Sequence, residues 1–483
     1  MPSSSGHLYR RSSVDQLGIS ALELTRLIKR KVVSLKEVVK LAADAISSKN
    51  PLINAVVSLR VEEALSEAEE LEARMAKEGH SGLLLGVPIL VKDLEDVKGM
   101  KTTYGSLAFR ENMAFQDSLQ VQRLKAQGAI VLGKTNTPEF GFTGFTKNRL
   151  FGVTKNPWDL SKTPGGSSGG SAAAVTAQMV PVATGSDAGG SIRIPASYCG
   201  CVGLKPTFGR IPLGPQFQGF GACIWTLGPL TRCVEDAWLY LRAAQGYHPL
   251  DPHSGIMDGG SLSTLQPPSG NLKICYSLDL GRYPVDPEVR ELFEKAIIEL
   301  SSLGHQLIPL KEEIPDLEST WWTYMAMDLA FQLKDVSQEK RAELSRSMVK
   351  TVEEVMGLSL AQLNKEREIR SRAFTAVQRI FKDFDALITP TTPTVAFQAE
   401  GPPPNTIDGR LVRLLDVVAF TYPFNLTGHP AISIRAGLTS QGLPAGLQII
   451  GPMCGEGTVL SLAYQFQEAT GCHKTWPSLQ PKG

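Results

Sequence analysis

Cysteine is scarce in this chain: 7 of 483 residues, scattered at positions 199, 201, 223, 233, 275, 454 and 472. An odd, dispersed set does not form the dense, even framework of a secreted disulfide scaffold, so a reduced, cytoplasmic setting is expected. Cys199 and Cys201 are one residue apart with no second close pair or neighbouring histidine, which makes a poor zinc site; neither a metal nor a cofactor is expected. Net charge is almost absent as well, since 49 Lys and Arg against 48 Asp and Glu leave +1. No long-range field then exists to draw nucleic acid or an anionic membrane surface. No run approaches the roughly 20 apolar residues that cross a bilayer, and the Ser-rich, basic residues 1–14 contain no apolar core of signal-peptide length. The expectation is a chain neither exported by a visible signal nor membrane-spanning. Internal repeats and linker-like polar stretches are missing too.

What is present is an ordinary globular composition, 42% hydrophobic and 20% charged, long enough to bury a large core. Ser34 with Glu37 forms a capping-box pattern, and Val38, Leu41, Ala42, Ala45 and Ile46 recur at helical spacing. A second helix is predicted from about Val61 to Lys77. Leu84, Leu85, Val87, Ile89 and Val91 then read as a buried strand ending at Lys92 and Asp93. A helix near Leu119–Gln127 leads into the strand Ala129–Leu132. Later, Asp286 as cap with Pro287 behind it starts another helix, and a mostly helical stretch runs to about Phe384. Leu387–Thr394 is proline punctuated, and Ala431–Ile434 and Gly446–Ile450 read as two late strands. Alternation of strands and helices at these lengths gives an α/β class.

Two short patterns invite readings that their surroundings refuse. Gly128 to Thr135 fits the phosphate-loop spacing, with Gly133, Lys134 and Thr135 at its end. Its intervening residues, Ala129, Ile130, Val131 and Leu132, are strand formers, and Pro138 disturbs the helix that should follow. The segment is read as a core strand. Gly165-Gly166-Ser167-Ser168-Gly169 fits the nucleophile-elbow pattern. The preceding Asn156–Pro164 holds two prolines, Asp159, Ser161 and Lys162, so no buried strand delivers the serine, and the downstream histidines stand in no acid-paired motif.

The Gly/Ser tract itself, Thr163–Ser171, brings small hydroxyls on a chain able to approach a ligand closely. A second such turn, Asp187-Ala188-Gly189-Gly190-Ser191, follows 24 residues after Ser167 and suits successive amides aimed into one concavity, the equipment of an oxyanion hole. Flexible surface loops are the alternative on composition alone. A serine hydroxyl needs a base, and without a histidine motif the candidate is a lysine kept neutral by burial. Lys92, ending an apolar strand on the face opposite Val87, Ile89 and Val91, fits; an exposed lysine paired with Asp93, Glu95 or Asp96 is the other reading.

Val87-Pro88-Ile89-Leu90-Val91-Lys92-Asp93, Pro164–Ser171 and Gly185–Pro195 resemble the three signature blocks of the amidase signature family. Gly203-Leu204-Lys205-Pro206-Thr207 and Pro444-Ala445-Gly446-Leu447-Gln448 resemble further family blocks, so the similarity spans most of the chain. The spacings of 75 residues from Lys92 to Ser167 and 24 from Ser167 to Ser191 also suit the family. The resemblance implies one α/β domain over 1–483, a mixed central β-sheet between layers of α-helices. Within it, 1–80 would be a helical amino-terminal layer, 82–215 the catalytic core and 285–385 a mostly helical substrate-pocket region. It further implies a Ser, cis-Ser, Lys triad: Ser191 as nucleophile, Ser167 as bridging serine after a cis peptide from Gly166, and Lys92 as general base. The amides of Ala188, Gly189, Gly190 and Ser191 would hold the oxyanion, and Gly141 would line the acyl pocket. Arg435 stands where many relatives have proline, altering that wall. Trp321, Trp322, Tyr324, Met325 and Met327 are candidates to cap a hydrophobic channel, or else core.

The expected function is a cofactor-independent serine hydrolase of carbon–nitrogen bonds that forms an acyl-enzyme at Ser191. Phe140, Phe142 and Phe145 are candidate aromatic walls, which favours neutral aryl or apolar amides and aryl carbamates or esters as substrates. The rival inside the family is the A subunit of a glutamyl-tRNA amidotransferase, which works in a complex and passes ammonia to a partner's site. A catalytically silent binding protein is the rival outside it. Apart from that amidotransferase complex, the expected partners are a small-molecule amide, ester or carbamate and neither nucleic acid nor membrane, with the chain a monomer or homodimer.

Overall fold

The computed structural model describes residues 18–79, 82–215, 219–255 and 262–479. Residues 1–17 of the expected 1–80 layer lie outside these, as do the few residues missing from the ranges just given.

Among the described residues, eleven strands form one mixed sheet. In chain order they are β1 (Val56–Leu59), β2 (Pro88–Lys92), β3 (Ile130–Thr135), β4 (Val182–Asp187), β5 (Val202–Lys205), β6 (Thr226–Thr231), β7 (Lys273–Tyr276), β8 (Gln306–Pro309), β9 (Ala386–Pro390), β10 (Ala431–Leu438) and β11 (Pro444–Ile450). Their spatial order is β1-β3-β2-β4-β6-β5-β10-β11-β9-β7-β8. The pairs β3/β2, β2/β4, β9/β7 and β7/β8 are parallel, and the other pairs are antiparallel.

Strand alternation gives the sheet an apolar core on each face. Val87, Ile89, Val91, Val131 and Val182 belong to one, with the helices Val234–Ala244, Pro287–Ser302 and Glu456–Thr470. Leu90, Leu132, Ala183 and Leu230 belong to the other, with the helices Leu35–Ile53, Val61–Glu78 and Gly169–Thr176. Both faces of the central strands are therefore buried, which is why β2 reads as a near-continuous apolar run.

Helix starts follow their capping chemistry. Ser34 accepts from the Glu37 amide while Glu37 accepts from Ser34, and Asp286 accepts from the Glu288 amide ahead of Pro287. Three features depart from the expectations. The amino-terminal layer contributes β1 as an edge strand as well as helices, because the run Ala55-Val56-Val57-Ser58-Leu59 is β-branched and apolar. The region 285–385 is interrupted by β8, which extends the far edge of the sheet. The proline-punctuated stretch opens with β9, whose terminal Pro390 ends the strand and gives up no interior ladder bond. Within Gly128–Thr135 the strand read there runs from Ile130 to Thr135, with Gly128 in the turn before it, and Lys134 is fully buried in it, donating to Asp93 Oδ1 at 3.4 Å and to the Glu95 carbonyl.

No described helix is long and apolar enough to cross a membrane.

Candidate active site

Because β2 and β4 are parallel neighbours, with Ile89 opposite Val182 and Leu90 opposite Ala183, their carboxyl ends emerge side by side. Loops leaving such ends are where an open α/β sheet places ligands. Lys92 closes β2, and the Gly-rich turn 188–191 follows β4.

The Lys92 side chain is fully buried, with Nζ 2.7 Å from Ser167 Oγ, 3.0 Å from Ser186 Oγ and 3.5 Å from the Ser186 carbonyl. Burial pushes the Lys92 amine down to about 7, against the opposing pull of the Glu95 and Asp187 carboxylates. A neutral amine has two N–H groups and one lone pair. As an ammonium Lys92 donates to Ser167 Oγ; in the neutral form, with its hydrogens on Ser186, its lone pair is free to accept the Ser167 O–H. Ser186 is a member of this arrangement that the sequence reading passed over, although it lies inside the block Gly185–Pro195.

Ser167 follows a cis peptide from Gly166. Its loop is pinned by Thr146 Oγ1 donating to the Gly165 carbonyl at 2.8 Å and by the Thr163 amide donating to the Phe397 carbonyl at 2.8 Å. A Cβ on Gly166 would stand 2.7 Å from the Phe145 amide nitrogen and the Thr143 carbonyl oxygen, so no larger residue fits there. The two Gly/Ser turns do meet: the Ser168 amide donates to the Ser191 carbonyl at 3.0 Å.

The second turn is organised by Asp187. Its carboxylate accepts the amides of Gly190 (2.6 Å), Ile192 (3.2 Å) and Arg193 (3.4 Å), together with the Asn425 amide group at 2.9 Å. The Arg193 guanidinium completes the set through Nε and Nη2, each at 2.9 Å. Burial alone would raise this carboxyl, but Arg193 and its other donors carry it well below the usual carboxylate range. Gly190 therefore leaves the expected oxyanion set, since its N–H is already spent on Asp187 Oδ1. Its φ of +124° is what lets that amide fold back. Among the described residues, no hydrogen bond engages the amides of Ala188, Gly189 and Ser191. Asn425 lies far away in sequence, and no local pattern marked it.

A cavity of about 340 Å³ opens at this turn, with Ser191, Gly189 and Gly141 in its lining. A Cβ on Gly141 would come within 3.0 Å of Ser167 Oγ. Phe142, Phe145, Trp321, Trp322 and Met325 supply aromatic and apolar walls. The expected wall residue Phe140 is turned out of it: its φ of +51° reverses the side chain, and its ring stacks on Tyr104 at 5.4 Å. Of the candidate cluster, Trp321, Trp322 and Met325 lie on the cavity face of the helix Glu318–Gln332, whereas Tyr324 packs under Arg370. Lys350 and Glu354 are the charged residues among the described lining; both are exposed, and they pair with one another at 3.6 Å. Arg435 is not among the lining residues. It sits between the rings of Trp158 and Trp476, 5.1 and 5.3 Å away, and donates to the Thr475 carbonyl at 2.8 Å. Among the described residues, no group of three or more His, Cys, Asp or Glu side chains could hold a metal.

The family model described as Amidase matches residues 37–460. The A subunit of the glutamyl-tRNA(Gln) amidotransferase from Heliobacterium modesticaldum is 35% identical over 486 residues, covering 95% of this chain and 98% of that protein. A bacterial aryl acylamidase of the amidase signature family superposes with a TM-score of 0.89 at 32% identity, covering 96% of this chain and 99% of that one. A 6-aminohexanoate cyclic dimer hydrolase in complex with substrate superposes with a TM-score of 0.86 at 30% identity, with 96% and 99% coverage.

Proposed function

Because the chain belongs to the amidase family, we propose that it is a serine hydrolase of neutral aryl or apolar amides, extending to aryl carbamates and esters. The observation that carries this reading is a buried lysine in contact with Ser167 beneath an apolar cavity that contains Ser191. In the proposed reaction neutral Lys92 takes the Ser167 proton, Ser167 takes the proton of Ser191, and Ser191 Oγ bonds to the substrate carbonyl carbon. The amides of Ala188, Gly189 and Ser191 stabilise the oxyanion. The protons return along the same chain to the departing nitrogen as the carbon–nitrogen bond breaks. Water, deprotonated by the same relay, then attacks the acyl-enzyme and releases the acid.

Aromatic walls reward burial of apolar substrate at roughly 25 cal/mol per Å². An amino acid amide such as glutamine brings an α-ammonium and an α-carboxylate, and each would need an ionic partner once dehydrated. Lys350 and Glu354 already satisfy one another at the cavity mouth. The sequence relatives favour a second reading, the A subunit of a glutamyl-tRNA amidotransferase, which would hydrolyse glutamine inside a complex. Comparing kcat/KM for an acyl anilide, an aryl carbamate, an aryl ester and glutamine at one pH separates the two. Higher values for the neutral aryl substrates are expected. A clear preference for glutamine overturns the proposal in favour of the second reading.

A further inference from the structure

The carbonyls of the turn that follows β4 are each held by a different part of the chain. Asn425 Nδ2 donates to the Asp187 carbonyl at 2.8 Å, the Trp321 indole N–H to Ala188 at 2.8 Å, Thr421 Oγ1 to Gly189 at 2.6 Å, and the Ile194 amide to Gly190 at 2.7 Å. In a trans peptide the carbonyl of one residue and the N–H of the next point in opposite directions. Holding the Ala188 carbonyl therefore aims the Gly189 N–H the other way, and Gly189 lines the cavity. The indole can reach its acceptor only because residue 189 has no side chain: a Cβ there would stand 2.4 Å from the Trp321 ring. The ring is itself clamped from behind, stacked on Tyr422 at 5.2 Å with planes 15° apart, one residue after Thr421.

We propose that Trp321 is a positioning residue for the oxyanion site, fixing the peptide between Ala188 and Gly189 through its indole N–H. Thr421 fixes the next peptide and so keeps the Gly190 N–H on Asp187. The inference rests on the function proposed above and goes beyond it, since it makes Trp321 more than a wall of the cavity. Substrate packed against the indole bears directly on the group that aims an oxyanion donor, which joins occupancy of the cavity to the geometry of the turn.

The test is Trp321→Phe, which keeps an aromatic wall and removes the donor. A misaimed oxyanion donor costs transition-state stabilisation, so kcat for an acyl anilide is expected to fall about 10- to 100-fold with KM nearly unchanged. Affinity for a trifluoromethyl ketone, whose adduct carries the oxyanion, should fall by a similar factor, and so should the rate of labelling by a fluorophosphonate. Thr421→Val, of nearly the same shape, should move the same quantities in the same direction if Trp321→Phe does not fold. A raised KM with kcat and labelling rate unchanged overturns the positioning role and leaves Trp321 as wall alone. Should the wild type prefer glutamine, the labelling arm still decides: equal rates in variant and wild type overturn this inference, and slower labelling supports it. A wild-type protein that the fluorophosphonate leaves unlabelled overturns both readings.

Discussion

Arg193 and Asp187 face one another as a fully buried ion pair, with Nη2 to Oδ1 and Nε to Oδ2 each at 2.9 Å. The pair is not isolated. Arg193 Nη1 also donates to Gln448 Oε1 at 2.8 Å and to the Thr421 carbonyl at 2.9 Å, so a charge at the end of β4 is tied to β11 and to the segment before Asn425. Two buried charges are tolerated where every donor and acceptor finds a partner, and here the partners include the turn that carries Ser191.

Replacing Asp187 by Asn should therefore be costly twice. The Arg193 charge is left buried without its counter-ion, a loss of about 3–5 kcal/mol. Asn keeps a single acceptor oxygen where the Gly190 and Ile192 amides use one carboxylate oxygen each, so one of them faces an NH2 donor and the turn is loosened. A urea midpoint well below wild type, with activity lost even at temperatures where the variant stays folded, is the expected pair of results. An unchanged midpoint would show that the ion pair is not what holds this turn.

In the proposed reaction Lys92 is the base and must be neutral, and burial brings its amine to about 7. The neutral fraction grows as pH rises, so kcat/KM should climb with unit slope below about 7 and level off above it. Glu95, whose two carboxylate oxygens accept from Thr184 at 2.6 Å and Gln120 at 2.7 Å, raises the Lys92 value. Glu95→Gln removes that charge while retaining the shape, and the rising limb should move to lower pH. A limb that stays in place would remove Glu95 from control of the base.

Ser191→Ala should abolish acyl-enzyme formation because no other atom bonds to the carbonyl carbon in the proposed scheme, and Ser191 is only half-buried, so the fold should tolerate the change. Mass spectrometry after mixing with a slow aryl ester reads this directly: the acyl mass belongs on the wild type alone. Ser167→Ala should lower turnover by several orders of magnitude yet leave Ser191 the labelled residue, since in the proposed scheme Ser167 relays protons without bonding to substrate. An acylated Ser191→Ala protein would displace Ser191 as nucleophile.

How far these features were legible in the sequence depended on the length of chain that encodes each. Lys92, Ser167 and Ser191 stand in short blocks whose local chemistry is distinctive: an apolar strand ending in lysine, and glycines spaced for close backbone approach. Capping at Ser34 and Asp286 was equally local. Asn425, Thr421 and the indole of Trp321 reach the 187–191 turn only through tertiary folding, and a threonine or a tryptophan at such a position carries no local mark of its partner. Phe140 misled for a different reason, because the left-handed backbone that turns its ring away cannot be read from residue identity. The strand β9 was hidden by Pro390, which counts against a strand until its place at the strand's end is known.

Arg435 illustrates the same limit and yields a prediction. Its guanidinium lies between Trp158 and Trp476 and holds the carboxyl-terminal segment at the Thr475 carbonyl, while one of its nitrogens, Nη1, is buried without a hydrogen-bond partner among the described residues. Arg435→Met removes two cation–π contacts, worth about 0.5–2 kcal/mol each when partly desolvated, and also relieves the unpaired nitrogen. A net loss of about 1–2 kcal/mol is expected, together with faster proteolysis beyond residue 470 and unaltered kcat and KM. Altered kinetics would mean that the clamp communicates with the cavity.

The last prediction concerns the aromatic wall beside Trp321. Trp322 lines the cavity beside Trp321, with its ring 5.2 Å from that of Phe142 in an edge contact. It is partly exposed, so only part of an aromatic's 150–250 Å² is available to a bound substrate, and 40–80 Å² at roughly 25 cal/mol per Å² amounts to about 1–2 kcal/mol. Trp322→Ala should consequently raise KM for an acyl anilide by about 5- to 30-fold, since each 1.4 kcal/mol is a factor of ten. That burial is made equally in the ground state and the transition state, so kcat should change little. The pattern is the reverse of the one expected for Trp321→Phe. For a small acetamide that does not reach the wall, the KM of Trp322→Ala should match the wild type. An equal penalty on the small and the aryl substrate would mean that Trp322 shapes the reacting centre and not the apolar subsite.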